Sequence, residues 1–319
     1  MSHQIVTVHE EDDGIRLDRW FKRHYPDIPH GLVQKLLRKG AIKVGGKKAE
    51  TSTRISAGQE IRVPHVNERP QEEVYVPKPK YEATFEDAQR LLIDNILYED
   101  QHMIAFNKPA GLAAQGGSKI KLSVDSLLYF LAQGGSKPKL VHRIDKDTSG
   151  VMIVAKSAKA ATELGKRFKE KTLEKTYWAI VVGEPEIPSG KISMPVLAKK
   201  SDGKNEKSVV DESEGKPAIT LYRIIEKAAR RLSWMELQPV TGRMHQLRVH
   251  MSAIGHPIVG DGKYGGTDAF IEGISEKMHL HARRIVIPNF YGKKIDVKAP
   301  LPPHMEETFE MMGFEPQHH

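Results

Sequence analysis

Val141-His142-Arg143-Ile144-Asp145-Lys146-Asp147-Thr148-Ser149-Gly150 is the stretch whose reading decides the fold. It lies between an apolar approach at Leu140-Val141 and a strand signal at Val151 to Val154, so its polar centre is a loop at a strand end. Asp145 stands there among His142, Arg143 and Lys146. Nearby cations favour the ionised carboxylate, which suits a nucleophile better than a general acid. The same residues also describe an Asx-turn braced by surface ion pairs, because Asp, Thr, Ser and Gly are ordinary turn residues.

Outward from this loop, short strand signals recur at Ile96 to Tyr98, Met103 to Phe106, Tyr177 to Val182, Thr220 to Ile224, Leu232 to Leu237 and Ile285 to Ile287. Helical signals interrupt them. Ser123 can cap a helix whose Val124, Leu127, Leu128 and Leu131 share a face, and Ser157 another that buries Ala161, Leu164 and Phe168. Strands outnumber helices without regular alternation, which predicts an α+β fold on a mixed, largely antiparallel sheet. A second polar cluster, Thr241-Gly242-Arg243-Met244-His245-Gln246-Leu247-Arg248-Val249-His250, continues into Gly255-His256-Pro257-Ile258-Val259-Gly260-Asp261. Met244, Leu247, Met251 and Ile254 make a helical stripe there, with the cations expected on the other faces.

The charge is concentrated elsewhere. Between Ile15 and Pro64 stand 12 Lys+Arg and 4 Asp+Glu, while the rest of the chain holds 37 of each sign, so the whole net charge of +8 lies in 50 residues. Such a segment is an electrostatic footprint for a polyanion or, more blandly, a solvated face. Leu17, Phe21 and Tyr25 fall at four-residue spacing, and Val33, Leu36 and Leu37 share a second helical face that stops at Gly40. Ile42 and Val44 alternate with polar residues, Gly45-Gly46 signals a hairpin turn, and Gln59 to Val63 reads as a closing strand. Beyond it, Pro64, Pro70, Pro77 and Pro79 among charged residues read as a linker, in which Thr84 to Leu92 can form a short helix.

Several chemistries are excluded. The 319 residues include no cysteine, so thiolate nucleophiles, disulfides and cysteine zinc sites are out, and a basic-then-apolar leader is absent from the first residues, which predicts a cytoplasmic protein with no membrane contact. His245 and His250 lie about 140° apart around a helix, which disfavours a shared metal, and His279 and His281 have no nearby third ligand. Gly260-x-Gly262-x-x-Gly265 lacks both the long preceding strand and the later acid of a dinucleotide site. A kinase catalytic loop is ruled out because Ile144 interrupts the His-Arg-Asp order and no other kinase signature follows.

Taken together, the segments resemble the RluA family of RNA pseudouridine synthases, in its RluC/RluD branch. His142 to Gly150 matches the central motif with Ile144 in the usual Leu place, and Asn107-Lys108-Pro109-Ala110-Gly111 matches the opening one. Lys175-Thr176-Tyr177, Thr241 to His250 and Gly255 to Asp261 follow in family order, with Met244 where Thr or Ser is usual. Residues 36–47 resemble the S4 RNA-binding domain, with Gly45 where Asn is frequent. The resemblance implies an S4-like domain over 14–66, a linker over 67–93 and a catalytic domain over 94–305. It implies isomerisation of uridine to pseudouridine in large-subunit (23S) ribosomal RNA by a monomer, on a flipped-out base, without metal or other cofactor. Asp145 would be the nucleophile or general base, Arg248 its ionic partner and Tyr177 the ring that stacks on the uracil and takes the C5 proton. Arg143 would fill the gap left in the RNA helix when the uridine leaves, Arg243 would contact RNA, and Arg16, Arg19, Lys35, Arg38, Lys39, Lys43 and Lys47 would contact phosphates. Two alternatives stay open, a tRNA-modifying paralogue and a noncatalytic RNA-binding assembly factor.

Overall fold

Leu17, Trp20 and Phe21 fall on one face of α1 (Leu17–His24), and Val33 and Leu37 on one face of α2 (His30–Arg38). In the computed structural model, which describes residues 3–26, 28, 30–64, 83–117, 120–132, 136–199, 207–228 and 231–319, these faces meet a small sheet. Its order is β1 (His3–Thr7), β4 (Glu60–Pro64), β2 (Lys43–Val44) and β3 (Lys47–Lys48), all antiparallel. Gly45 and Gly46 both have positive φ, the geometry that a two-residue turn between twisted strands demands. Twelve buried apolar side chains form this core. Each large one contributes roughly 1.5–3 kcal/mol relative to exposure, which the basic residues on the outer faces leave undisturbed.

The segment expected as a linker divides. Residues 67–82 lie outside the described residues. The short helix expected at Thr84 to Leu92 is present, but it packs into the second core and is not part of a linker: Thr84 closes a capping box with Asp87 on α3 (Phe85–Leu91), and Ala88 and Leu92 are fully buried.

A ten-stranded sheet organises the rest. Its chain order is β5 (Ile96–Glu99), β6 (Met103–Lys108), α4 (Val124–Leu127), β7 (Lys139–Leu140), β8 (Ser149–Ala155), α5 (Ala158–Glu170) and β9 (Glu174–Val182). Then come β10 (Ser189–Ser193), the separate hairpin β11 (Val196–Lys199) and β12 (Lys207–Val210), β13 (Ile219–Ala228), β14 (Leu232–Pro239), α6 (Gln246–Ala253) and α7 (Gly262–Gly265). β15 (Leu280–Phe290), β16 (Lys293–Lys298) and α8 (Pro303–Met312) complete it. The main path is β10-β13-β14-β9-β15-β8-β6-β5, with β16 on β15 and β7 on β8, and among the described residues only the β8–β15 pair of this sheet is parallel. This is the α+β, mixed and largely antiparallel architecture expected. Ser123 and Ser157 accept from the N–H groups of Ser126 and Ala160, as predicted for helix caps.

Two expectations need correction. The catalytic boundary at 305 falls inside α8, whose Met305 and Phe309 pack with Phe314 around Trp178 and Trp234, so this core runs on to Phe314. And α6 is enclosed rather than amphipathic, with every residue from Gln246 to Met251 buried. Its polar members are satisfied internally: His250 bonds Thr220 Oγ1 and the Met194 carbonyl, and Gln246 donates to the Ile219 carbonyl and Thr220 Oγ1.

The parallel contact fixes the site. β8 and β15 start side by side, Ser149 opposite His281 and Gly150 opposite Ala282. Gly150 has φ +108°, and a Cβ there would run into the Ala282 carbonyl, so only glycine allows this approach. The loop 141–148 therefore opens at the junction of β8, β9, β15 and the turn from β14 into α6.

Candidate active site

Three braces hold the Asp145 loop. Ile144 is buried in the second core, beside Leu112 and Met152. The ring of His142 stacks on Phe168 with centroids 4.5 Å apart, and its Nε2 accepts the Ile153 N–H at 2.8 Å. Burial, reinforced by the charge of Lys175, pushes His142 down to about 3, so it is a neutral acceptor that ties the loop to β8. The third brace is Lys108, wholly buried at the end of β6. Its ammonium donates to the carbonyls of Pro109 and Leu112 at 2.8 Å and of Lys146 at 3.0 Å, stapling the turn after β6 to the residue beside Asp145. Burial pushes Lys108 down to about 7, with the charges of Asp147 and Asp145 holding it up.

Asp145 faces His245, the last residue of the β14–α6 turn, and Arg248 from the first turn of α6. Arg248 Nη1 lies 3.4 Å from its Oδ2, and His245 Nε2 lies 3.9 Å from the same oxygen. Arg248 is anchored from behind: its Nε and Nη2 each donate at 2.7 Å to one carboxylate oxygen of Asp261, which is buried at the turn into α7. Burial opposes the charge of Arg248, but the bonds and charge of Asp261, joined by that of Asp145, outweigh it and raise the guanidinium above its ordinary value. Arg248 is thus fixed between two carboxylates, one fully engaged and the other loosely touched, and both side-chain contacts to Asp145 among the described residues go to its Oδ2.

Tyr177 lies on β9 opposite Leu237, close to the register shift between His281 and Arg284 where β9 meets β15. Burial, then the charge of Asp145, drives its phenol well above the usual range, so the resting ring is neutral. Asp145, Tyr177, Arg143, Arg243, His245 and Arg248 line one cleft of about 480 Å³, large enough for a nucleoside. Arg143 is exposed at the rim, whereas Arg243 Nε donates to the Pro217 carbonyl at 3.1 Å. On the facing wall, Lys169, Lys171 and Lys175 line the same cleft.

The other expected RNA contacts are distant in sequence and lie on the N-terminal helices and hairpin. Arg19, Lys35, Arg38, Lys39 and Lys47 are exposed and Lys43 is half-buried, while Arg16 is tied to Asp18 at 2.7 Å. His279 and His281 are spent on structure: the first bonds the Lys277 carbonyl and Thr308, the second Ser149 and the Ala299 carbonyl. Gly260 precedes the four-residue α7 that Gly262 and Gly265 bound, no long strand leads into it, and Cβ atoms on Gly260 and Gly265 would strike Lys277 and Pro257.

Sequence reasoning does not single out Asp261, His245, Tyr264 or Lys108 as parts of the site. The first three are written in Thr241 to Asp261 and the turn after it, but their convergence depends on α6 and α7 folding back against each other. For Lys108 the visible signal is a lysine ending an apolar strand.

Comparison with known proteins gives the family. The profile of the family described as RNA pseudouridylate synthase matches residues 102–253. The "Ribosomal large subunit pseudouridine synthase C" of Rickettsia felis is 41% identical over 298 residues, covering 92% of this chain and 95% of that protein. The protein of the same name from Vibrio cholerae is 36% identical over 316 residues, covering 97% of this chain and 96% of its own length. Among solved structures, "Human RNA Pseudouridylate Synthase Domain Containing 4" superposes with a TM-score of 0.61 at 27% identity, covering 72% of this chain and 96% of that one.

Proposed function

The chain belongs to the RluA family of RNA pseudouridine synthases, in its RluC branch, and from that premise we propose that it converts uridines of large-subunit ribosomal RNA to pseudouridine with the carboxylate of Asp145. The observation that carries this reading is Asp145 itself, a carboxylate in a nucleoside-sized cleft with one oxygen touched by an anchored arginine.

The reaction breaks the bond from uracil N1 to ribose C1′, turns the base and joins C5 to C1′. The C5 proton leaves to water and N1 takes one up, so atoms and charge balance with no cofactor. Asp145 acts at the bond-breaking step, as nucleophile or base, and Arg248 helps to hold it toward the cleft. Tyr177 stacks on the extruded uracil. Extrusion costs a few kcal/mol of lost stacking, and the exposed Arg143 guanidinium recovers part of it by stacking in the gap. Residues 14–66 serve as an S4-like module whose Lys35, Arg38 and Lys39 grip phosphates, so that binding is steered by charge and shape. The protein works as a monomer in the cytoplasm.

The test is tritium release. Transcripts of large-subunit ribosomal RNA labelled at uridine C5 are expected to release label to water, whereas tRNA transcripts are not. Release from tRNA alone would overturn the substrate, and release from neither, with RNA bound, would favour the noncatalytic assembly factor.

A further inference from the structure

His245 has no role in the reading above, yet its geometry is costly. It stands immediately before α6 at φ 54° and ψ 22°, a left-handed conformation that a non-glycine residue holds only where its surroundings require it. What that conformation achieves is a ring with one nitrogen toward Asp145 and the other toward Tyr264. Nε2 lies 3.9 Å from Asp145 Oδ2, and Nδ1 lies 2.7 Å from the Tyr264 hydroxyl.

The hydroxyl decides the tautomer. It already accepts the Ser208 N–H at 2.9 Å, so its own proton is free to be donated, and His245 Nδ1 is the acceptor in reach. Donation to Nδ1 places the ring proton on Nε2, facing the Asp145 carboxylate. The opposite assignment would set the bare Nε2 lone pair against an anion. The Tyr264 ring is itself clamped between cations, with Arg248 Cζ 5.0 Å and Lys207 Nζ 5.5 Å from its centroid. One tyrosine therefore registers β12, Arg248 and His245 against one another.

We propose that His245, locked by Tyr264 as the Nε2–H tautomer, is a positioning residue that donates to Asp145 Oδ2 as the nucleotide enters. At 3.9 Å the contact is open in the free protein, and catalytic hydrogen bonds of this kind close in the substrate complex. Arg248 cannot do this alone, because two of its three nitrogens are held by Asp261. A neutral donor fixes the carboxylate's direction without adding a second positive charge that would blunt its nucleophilicity. Burial, with the charges of Arg248 and Lys263, keeps the imidazole neutral against the opposing pull of Asp145 and Asp261.

The inference rests on the pseudouridine synthase reading for its function, but not for its geometry. In long-range proton–nitrogen spectra of the full chain, assigned by comparison with His245→Gln, the wild-type ring is expected as Nε2–H and Tyr264→Phe is expected to lose that preference. A ring protonated on Nδ1 in the wild type overturns the proposal, whether or not any RNA turns over. In single-turnover tritium release at saturating large-subunit RNA, His245→Ala is expected to slow the step about tenfold or more, with RNA affinity unchanged, less than the loss of a fully engaged donor elsewhere. His245→Gln, which restores an N–H near Nε2, should return to within about threefold of wild type if donation is the cause. A role in packing alone would lower the melting temperature without this kcat effect and without rescue by Gln, and either result overturns the proposal. Wild-type inactivity would sink the functional reading and leave the spectrum to decide this one.

Discussion

Replacing Asp261 by Asn tests whether the pair behind Arg248 organises the site. The carboxylate is 1% exposed and takes two bonds of 2.7 Å from a guanidinium that is itself 9% exposed. Asn keeps one acceptor oxygen but turns an NH2 group toward the second Arg248 donor, leaving a buried cation half-paired. Breaking a buried pair from one side costs about 3–5 kcal/mol, and the surviving bond puts Asp261→Asn near the lower end. At roughly 2–4 °C per kcal/mol for a domain of this size, the melting temperature should fall by about 6–12 °C. Arg248, freed from Asp261, then closes on Asp145, so single-turnover release should slow as well. Adding Arg248→Met is expected to recover part of the stability, since removing both charges leaves none unpaired, but none of the activity. Calorimetry with the tritium assay checks both. An Asp261→Asn protein melting within about 2 °C of wild type would refute the claim that this pair anchors the site.

Two further outcomes follow from the same geometry. Lys108 titrates near 7 when folded against an ordinary 10.5, so between those values the unfolded chain holds a proton that the folded one has shed, and stability rises with pH. Urea titrations should show wild type gaining about 2 kcal/mol on Lys108→Met between pH 7 and 9, and parallel curves would contradict the burial of a titrating ammonium there. Replacing Lys35, Arg38 and Lys39 together by Ala should reduce the slope of log affinity against log salt by about 2, at about 0.7–0.9 for each phosphate no longer neutralised, while an unchanged slope would remove these residues from the RNA interface.

Local signals carry over well into the structure. Ser123 and Ser157 cap helices because the N-cap pattern is written within four residues, and the strands around Met103 and Val151 are marked by continuous apolar runs. Asp145 and Arg248 can be named from motifs, and the fold brings them within 3.4 Å across 103 residues of chain. What stays hidden depends on distant partners. β10, β12 and β16 are short and mostly polar, and are strands only because β13, β11 and β15 offer edges to them. β1 is silent in the sequence for a related reason, since Ile5 is exposed and its alternation is weak. The Thr84 helix is polar for its length, yet Ala88 and Leu92 suffice to bury one face against α4 and β6. Asp261 looks like one more turn residue, because nothing in its neighbours announces that Arg248, 13 positions earlier, will be its partner.

The most direct test of the account is the rate of Asp145→Asn in single-turnover tritium release from C5-labelled large-subunit ribosomal RNA, with binding of the same RNA measured alongside. Asn preserves the shape of the side chain while removing the charge. The expected result is RNA affinity within a few-fold of wild type and no release above the background of an enzyme-free control. A variant that binds the RNA and still releases tritium at the wild-type rate would contradict the assignment of the chemistry to this carboxylate.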